Sequence, residues 1–173
     1  TALTVEDLTG VISVVGDDVR WSALAGTVRG ARFELEGRLP DGLANGFTLD
    51  LRTLDPLPLT PELVESIERL AACSTLLPAG LRLDGAGRAQ LELRIEQAPG
   101  EDCPTLPRVS LRDLDVGLRW RGGIALRAQG RALDIEGESV RVLGLTLTTD
   151  GARIRAEDGR FLGLRGSNRD VTE

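Results

Sequence analysis

"VRWSALAGTVRGARFELEGRL", Val19 to Leu39, decides how this chain is read, because it returns in outline 121 residues later as "VRVLGLTLTTDGARIRAEDGRF", Val140 to Phe161. Val19-Arg20 matches Val140-Arg141, Leu24 matches Leu145, and Thr27 matches Thr148. Gly30-Ala31-Arg32 then matches Gly151-Ala152-Arg153, and Glu36 matches Glu157. One extra residue, Asp158, precedes the second closing Gly-Arg-apolar triplet. In the first copy Phe33, Leu35 and Leu39 alternate with Glu34, Glu36 and Arg38. Side chains of a strand point to opposite faces in turn, so this pattern makes one face apolar and the other charged. The phrase reads as β-structure, twice.

Working outward, the same alternation recurs. Phe47, Leu49 and Leu51 are separated by Thr48 and Asp50; Leu91, Leu93 and Ile95 by Glu92 and Arg94. Leu114, Val116, Leu118 and Trp120 form a further set. Leu111 is out of phase with Leu114, which predicts a bulge near Arg112-Asp113. Turn signals fall between the runs: "GDD" at 16–18, "PDGLANG" at 40–46, "DGAG" at 84–87, "RGG" at 121–123 and "DG" at 150–151. Gly137, Gly144 and Gly151 recur every seven residues and mark bends or bulges. The fold class expected is mainly β, an antiparallel sheet wet on one side.

One segment breaks the pattern. In "LPLTPELVESIERLAAC" Thr60 is placed as an N-cap, Pro61 at the first helical position and Glu62 in the first turn. Leu63, Ile67, Leu70 and Ala71 share one helical face, and the helix should end near Cys73 or Ser74. That face needs an apolar partner, and the sheet offers one, so one principal helix near 60–73 is expected on the apolar face. The chain divides into a first strand group at 1–55, a linker and helix at 56–78, and a second strand group at 79–173. Cys73 and Cys103 fit either a disulfide, closing about 30 residues, or two separate thiols. Spacing does not choose between them, because pairing depends on approach in three dimensions.

Composition removes several kinds of chemistry. The chain carries net charge −6 and contains neither His nor Lys. Without imidazole there is no Ser-His-Asp or Cys-His pair, and without Lys no Schiff base and no P-loop lysine. Two cysteines 30 residues apart fit no zinc-finger spacing, so no metal or cofactor is expected. An acidic chain with three Phe and two Trp lacks the basic stripe and stacking rings of nucleic-acid binders. Asp17-Asp18 and Glu101-Asp102 are paired carboxylates, but both sit beside Gly or Pro, where turn acidity accounts for them. A carbohydrate-active domain would need two of these carboxylates to converge. No run reaches the roughly 18 apolar residues of a spanning helix. The opening "TALTVEDL" and the absence of Met read as an internal or processed segment.

Three features in order carry a family resemblance. They are the strand phrase "DLTGVISVVGDDVRWSALAGTVRGARFELEGRL", the block "LRTLDPLPLTPELVESIERL" with "LPAGLRLDGAGRAQLELRIE", and the return to the phrase after "CPTLPRVSLRDLDVGLRW". Together these resemble the AsmA-like and TamB-like envelope proteins of diderm bacteria. The resemblance implies a curved, twisted half-pipe, a repeat-built β-groove with an apolar inner face, here a single extended segment of a larger protein. It also implies a periplasmic location, inner-membrane anchoring through a segment outside this chain, and neighbouring groove units as partners. The function implied is conduction of phospholipid acyl chains, or assistance to outer-membrane assembly, without enzymatic activity. The residues expected to line the groove are Phe33, Leu35, Phe47, Leu49, Leu51, Leu91, Leu93, Ile95, Val116, Leu118 and Trp120. Alternation alone favours a closed sandwich or barrel, with those side chains as ordinary core. A ligand-free scaffold whose trough is filled by its own helix is the competing function.

Overall fold

The computed structural model describes residues 4–41, 45–77, 80–85, 87–120, 123–137, 139–149 and 152–162. Four long strands open the chain: β1 (Val5–Val15), β2 (Asp18–Val28), β3 (Ala31–Leu39) and β4 (Phe47–Thr53). A short strand β5 (Leu57–Leu59) leads into the helix α1 (Pro61–Leu70), and β6 (Leu81–Leu83) leads out of it. Then come β7 (Gly87–Gln97), β8 (Thr105–Trp120) and β9 (Ala125–Glu136). The shorter β10 (Ser139–Leu143), β11 (Leu145–Thr149), β12 (Ala152–Ala156) and β13 (Gly159–Leu162) follow.

Among the described residues thirteen strands join one sheet, nine of them in the order β1-β2-β3-β4-β7-β8-β9-β10-β13, with every pairing antiparallel. β11 and β12 continue the β9 side, while β5 and β6 add to β7 and β8. Among the described residues β1 and β13 do not pair with one another, so the sheet is open. Its register aligns apolar residues across the strands. Leu24, Leu35, Leu51, Leu93, Val109, Ile135 and Val140 face one another in succession from β2 to β10. From Leu51 to Val140 that row packs in one cluster with Leu63 and Ile67 of α1 and its flanks, which supplies the core, as period-two patterning requires.

Both copies of the opening phrase form hairpins of one register. In the first, Val19 pairs with Leu39, Trp21 with Gly37, Leu24 with Leu35 and Val28 with Ala31. In the second, Val140 pairs with Phe161, Val142 with Gly159, Leu145 with Ala156 and Thr149 with Ala152. Asp158 is absorbed between the two short pairings of the second copy, which is why its closing triplet lags by one residue. The strand before each hairpin matches as well. Ile12 pairs with Trp21 and Val14 with Val19, as Leu133 pairs with Val142 and Ile135 with Val140.

The helix begins where local sequence places it. Thr60 is extended, its Oγ1 accepts from the Leu63 amide at 3.3 Å, and Pro61 opens the first turn. It ends at Leu70, three residues earlier than the periodicity suggests, and Leu70 is 57% exposed rather than on the buried face. Distant contacts set that end. The Cys73 amide donates to Pro104 O at 3.0 Å, Ser74 Oγ accepts from the Leu106 amide, and Glu68 Oε1 accepts from the Leu76 amide. The segment expected as a plain linker also contains β5, which pairs with Gly87–Ala89 beyond the end of β4. The bulge expected near Arg112-Asp113 is present: Asp113 has φ +49°, and Leu111 and Leu114 are both buried. Gly137 and Gly144 have φ of +55° and +59°. The turn at 150–151 and Gly151 lie outside the described residues, as do parts of the turns at 40–46, 84–87 and 121–123.

Candidate functional site

Of the eleven apolar residues expected to line a groove, Leu35, Leu51 and Leu93 face one another in register and Leu49 faces Ile95, while Phe33 faces Thr53 and Phe47 faces Gln97; they also differ in how open they are. Leu91, Leu93, Ile95, Val116 and Leu118 are buried in the central cluster with Leu57, Leu59, Leu63, Ile67 and Leu76. Phe33 is buried on β3, beside Gly26 of β2, whose bare α-carbon leaves room for its ring. Leu35, Phe47, Leu49 and Leu51 are half-buried. Trp120 closes β8 and is 45% exposed, outside the packed middle. The apolar face is therefore covered under α1 and its flanks, and partly open over β3 and β4.

Covering that face requires an anchored helix. Cys73 and Cys103 form a disulfide, with Cα atoms 5.9 Å apart, which ties the helix exit to the start of β8. Two small polar residues matter here that alternation does not reveal. Thr53 is buried where β4 ends, and its Oγ1 accepts from the Leu91 amide at 2.8 Å. Ser74 is buried too and serves the Leu106 amide. Each supplies an acceptor to a backbone donor that would otherwise be buried without a partner. Their only sequence signal is a small hydroxyl at an element's end.

The opposite face is charged, and its rows also follow the register. Glu34 faces Arg52, which faces Glu92; Glu36 faces Asp50, which faces Arg94 and then Arg108. Arg94 contacts Asp50 at 3.8 Å and Glu96 at 3.2 Å, and Arg108 contacts Glu92 at 3.9 Å. An open concavity of about 880 Å³ lies along this face, lined by Glu34, Glu36, Arg52, Glu92, Arg94 and Arg108 among others. The charges at Arg32, Glu34 and Glu36, and at Arg153, Arg155 and Glu157, are all exposed. Such cross-strand pairs add only tenths of a kcal/mol each, so they fix register more than stability, ~0.2–1 kcal/mol.

Of the paired carboxylates, Asp18 serves the fold. Asp18 accepts from Arg38 and Arg20, at 2.9 and 3.1 Å, and the Arg38 hydrogen bond holds its pKa below the ordinary carboxylate value. Glu101-Asp102 sits in the loop between β7 and β8. β3 and β4 lie between β2 and β7, so the strands that carry the two pairs are three spacings apart, about 14 Å measured along the sheet. Glycosidase carboxylates stand ~5–9.5 Å apart. Among the described residues no group of three or more Cys, Asp or Glu is placed to hold a metal ion. None of the described helices is long and apolar enough to cross a membrane.

Comparison of the chain with protein-family models, with curated proteins and with solved structures returns no match.

Proposed function

We propose that this chain is a non-enzymatic segment of a longer, repeat-built β-groove in the bacterial envelope, along which phospholipid acyl chains pass between membranes or outer-membrane assembly is assisted. The observation that carries it is the matched register of β1–β3 and β9–β13 at a fixed offset. Two strand groups with one register behave as successive units, and units of this kind bury their apolar faces against neighbours rather than alone. An open sheet with matching groups towards its two ends is suited to extension. The resemblance to AsmA-like and TamB-like proteins supplies the periplasmic setting and the membrane anchor.

An aliphatic face of this sort suits a sliding chain. A 16-carbon tail in water gains on the order of 12 kcal/mol on burial, at about 0.8 kcal/mol per methylene. In a bilayer the tail already has that stabilisation, so a conduit has only to match it. Leu35, Phe47, Leu49 and Leu51 are the residues that remain half-open to such a tail. Native mass spectrometry of protein purified without added lipid, followed by lipid extraction, is expected to find bound phospholipid. Protein that emerges lipid-free from envelope material removes the conduit.

A second reading, a ligand-free scaffold or spacer, is favoured by one observation. The middle of the apolar face is filled by the chain's own Leu59, Leu63, Ile67 and Leu76, and the open concavity lies on the charged side. The same lipid measurement separates the two.

A further inference from the structure

β1 has the exposure of a strand whose neighbour is missing. Leu8, Val11, Ile12, Val14 and Val15 are all more than half exposed, although they form a largely apolar run. Among the described residues only β2 pairs with β1. Such an edge invites strand addition unless something covers it.

The molecule contains its own template for the cover. β9 stands in the second group where β1 stands in the first, because the residues at matching positions make the same pairs. Val11 pairs with Ser22 and Val14 with Val19; Ala132 pairs with Leu143 and Ile135 with Val140. Both strands end in a turn at a left-handed glycine, Gly16 at φ +62° and Gly137 at φ +55°. The difference is on the far side. β9 is covered by β8, with Val109 opposite Ile135, Leu111 opposite Leu133 and Gly117 opposite Arg127. With β8 beside it and the central cluster over its face, Ile135 is 0% exposed, and Ala132 is 2% exposed, whereas Val14 and Val11 at the matching positions are 64% and 59% exposed.

We infer that the free edge of β1 docks an antiparallel strand of the β8 type, supplied by an adjoining unit, in the register that β8 adopts on β9. The occupant places an aliphatic residue opposite Val14, as Val109 is opposite Ile135, and another opposite Ile12, as Leu111 is opposite Leu133. Charge is not what selects the occupant: in the transferred register Glu6 has Arg119 on one diagonal and, on the other, Asp115, the residue that contacts Arg127 of β9 at 2.6 Å. A β13-type strand is the wrong occupant. β13 matches the end of β3, which runs parallel to β1 across β2, so it would add in the parallel sense. The inference rests on the repeat reading above, but not on lipid passage.

The test uses the whole chain and a synthetic peptide copying 105–120. Saturating peptide should slow amide exchange in Thr9–Val15 by about tenfold or more, as expected when a frayed edge becomes an interior strand. A scrambled peptide should leave it unchanged. Val14→Cys protein should form a disulfide with peptide bearing Val109→Cys about tenfold faster than with peptide bearing Ser110→Cys, whose thiol points to the other face. Unaltered exchange, equal protection by the scrambled peptide, or equal cross-linking of the two cysteine peptides overturns the inference. So does a dimer of the chain alone with β1 paired to β1. If lipid is retained and β1 is not protected, this inference falls and the conduit stands. Protected β1 in lipid-free protein gives the converse.

Discussion

Ala23 and Gly144 occupy one position in the two matching hairpins, 121 residues apart, and both are left-handed, with φ of +48° and +59°. In each copy the register breaks here: between Trp21 and Leu24 in β2, and between β10 and β11 in the second group. The bend is thus built twice, once with glycine and once with a residue that pays for its Cβ.

That asymmetry is measurable. An L-residue in the left-handed region costs roughly 1–2 kcal/mol, partly offset by the extra unfolded-state freedom of glycine. Ala23→Gly is expected to raise stability by about 0.5–1 kcal/mol. Gly144→Val should lower it by about 1–3 kcal/mol, since a β-branched residue is least tolerant of this conformation. Urea titration of both variants checks the pair, and a loss of stability in Ala23→Gly contradicts the equivalence.

The disulfide gives a second expectation. Cys73 and Cys103 close a segment of 30 residues, and loop-entropy reasoning assigns about 3–4 kcal/mol to such a cross-link. Thiol titration of denatured, unreduced protein should find no free thiol. The Cys73→Ser, Cys103→Ser double variant should keep a β-type circular dichroism spectrum while losing about 3 kcal/mol in denaturant. Two free thiols in protein from an oxidising compartment would refute the pairing.

Acid stability should depend on Asp55. Its carboxylate accepts from Arg32 Nε at 2.8 Å, from Arg32 Nη2 at 3.0 Å and from the Arg32 amide at 3.2 Å. The side-chain bond to Arg32 and then the backbone bond lower its pKa to about 2. A pKa depressed on folding means the unfolded chain binds the proton more readily. The contribution is therefore complete above the unfolded value, about 3.9, and lost as pH falls through about 2. Asp55→Asn should flatten stability against pH in that window and leave the slope near pH 7 alone. An unchanged acid limb argues that the pair is too solvent-screened to matter.

How far the sequence discloses all this depends on how local each determinant is. Leu91, Leu93 and Ile95 are legible as one buried face because alternation is fixed by strand geometry itself. Thr60-Pro61 marks the helix start for the same reason, since a cap acts within one turn. The helix end is not legible: Pro104, Cys103 and Leu106 hold it from over 30 residues away. β5 hides behind Pro56 and Pro58, which read as linker, although a three-residue strand with proline can pair at a sheet margin. Trp120 continues the β8 alternation yet is exposed, because alternation gives a face and not how far the cover extends along it. The proposed groove depends on what covers Leu35, Leu49 and Leu51, and no pattern within those strands encodes that.

Leu49 and Leu93 provide the sharpest test of lipid passage, because they lie on adjacent strands, one half-buried and the other buried. Leu93 is 4% exposed between Leu51 and Val109 in the central row. A carboxylate there has no partner, so Leu93→Glu should destabilise by about 3 kcal/mol or more, and any lipid loss would be uninformative. Leu49 is half-buried beside Ile95 and Gly37, where a longer polar side chain can turn its head to water. Leu49→Glu should cost about 1–2 kcal/mol and keep the β-type spectrum. If acyl chains pass over this strip, a charge there interrupts an otherwise continuous aliphatic surface, and co-purifying phospholipid should fall several-fold. Leu49→Met, which conserves volume and apolarity, should retain it. Lipid binding equal in Leu49→Glu, Leu49→Met and the parent chain would place any bound lipid elsewhere and leave the apolar face with a purely structural role.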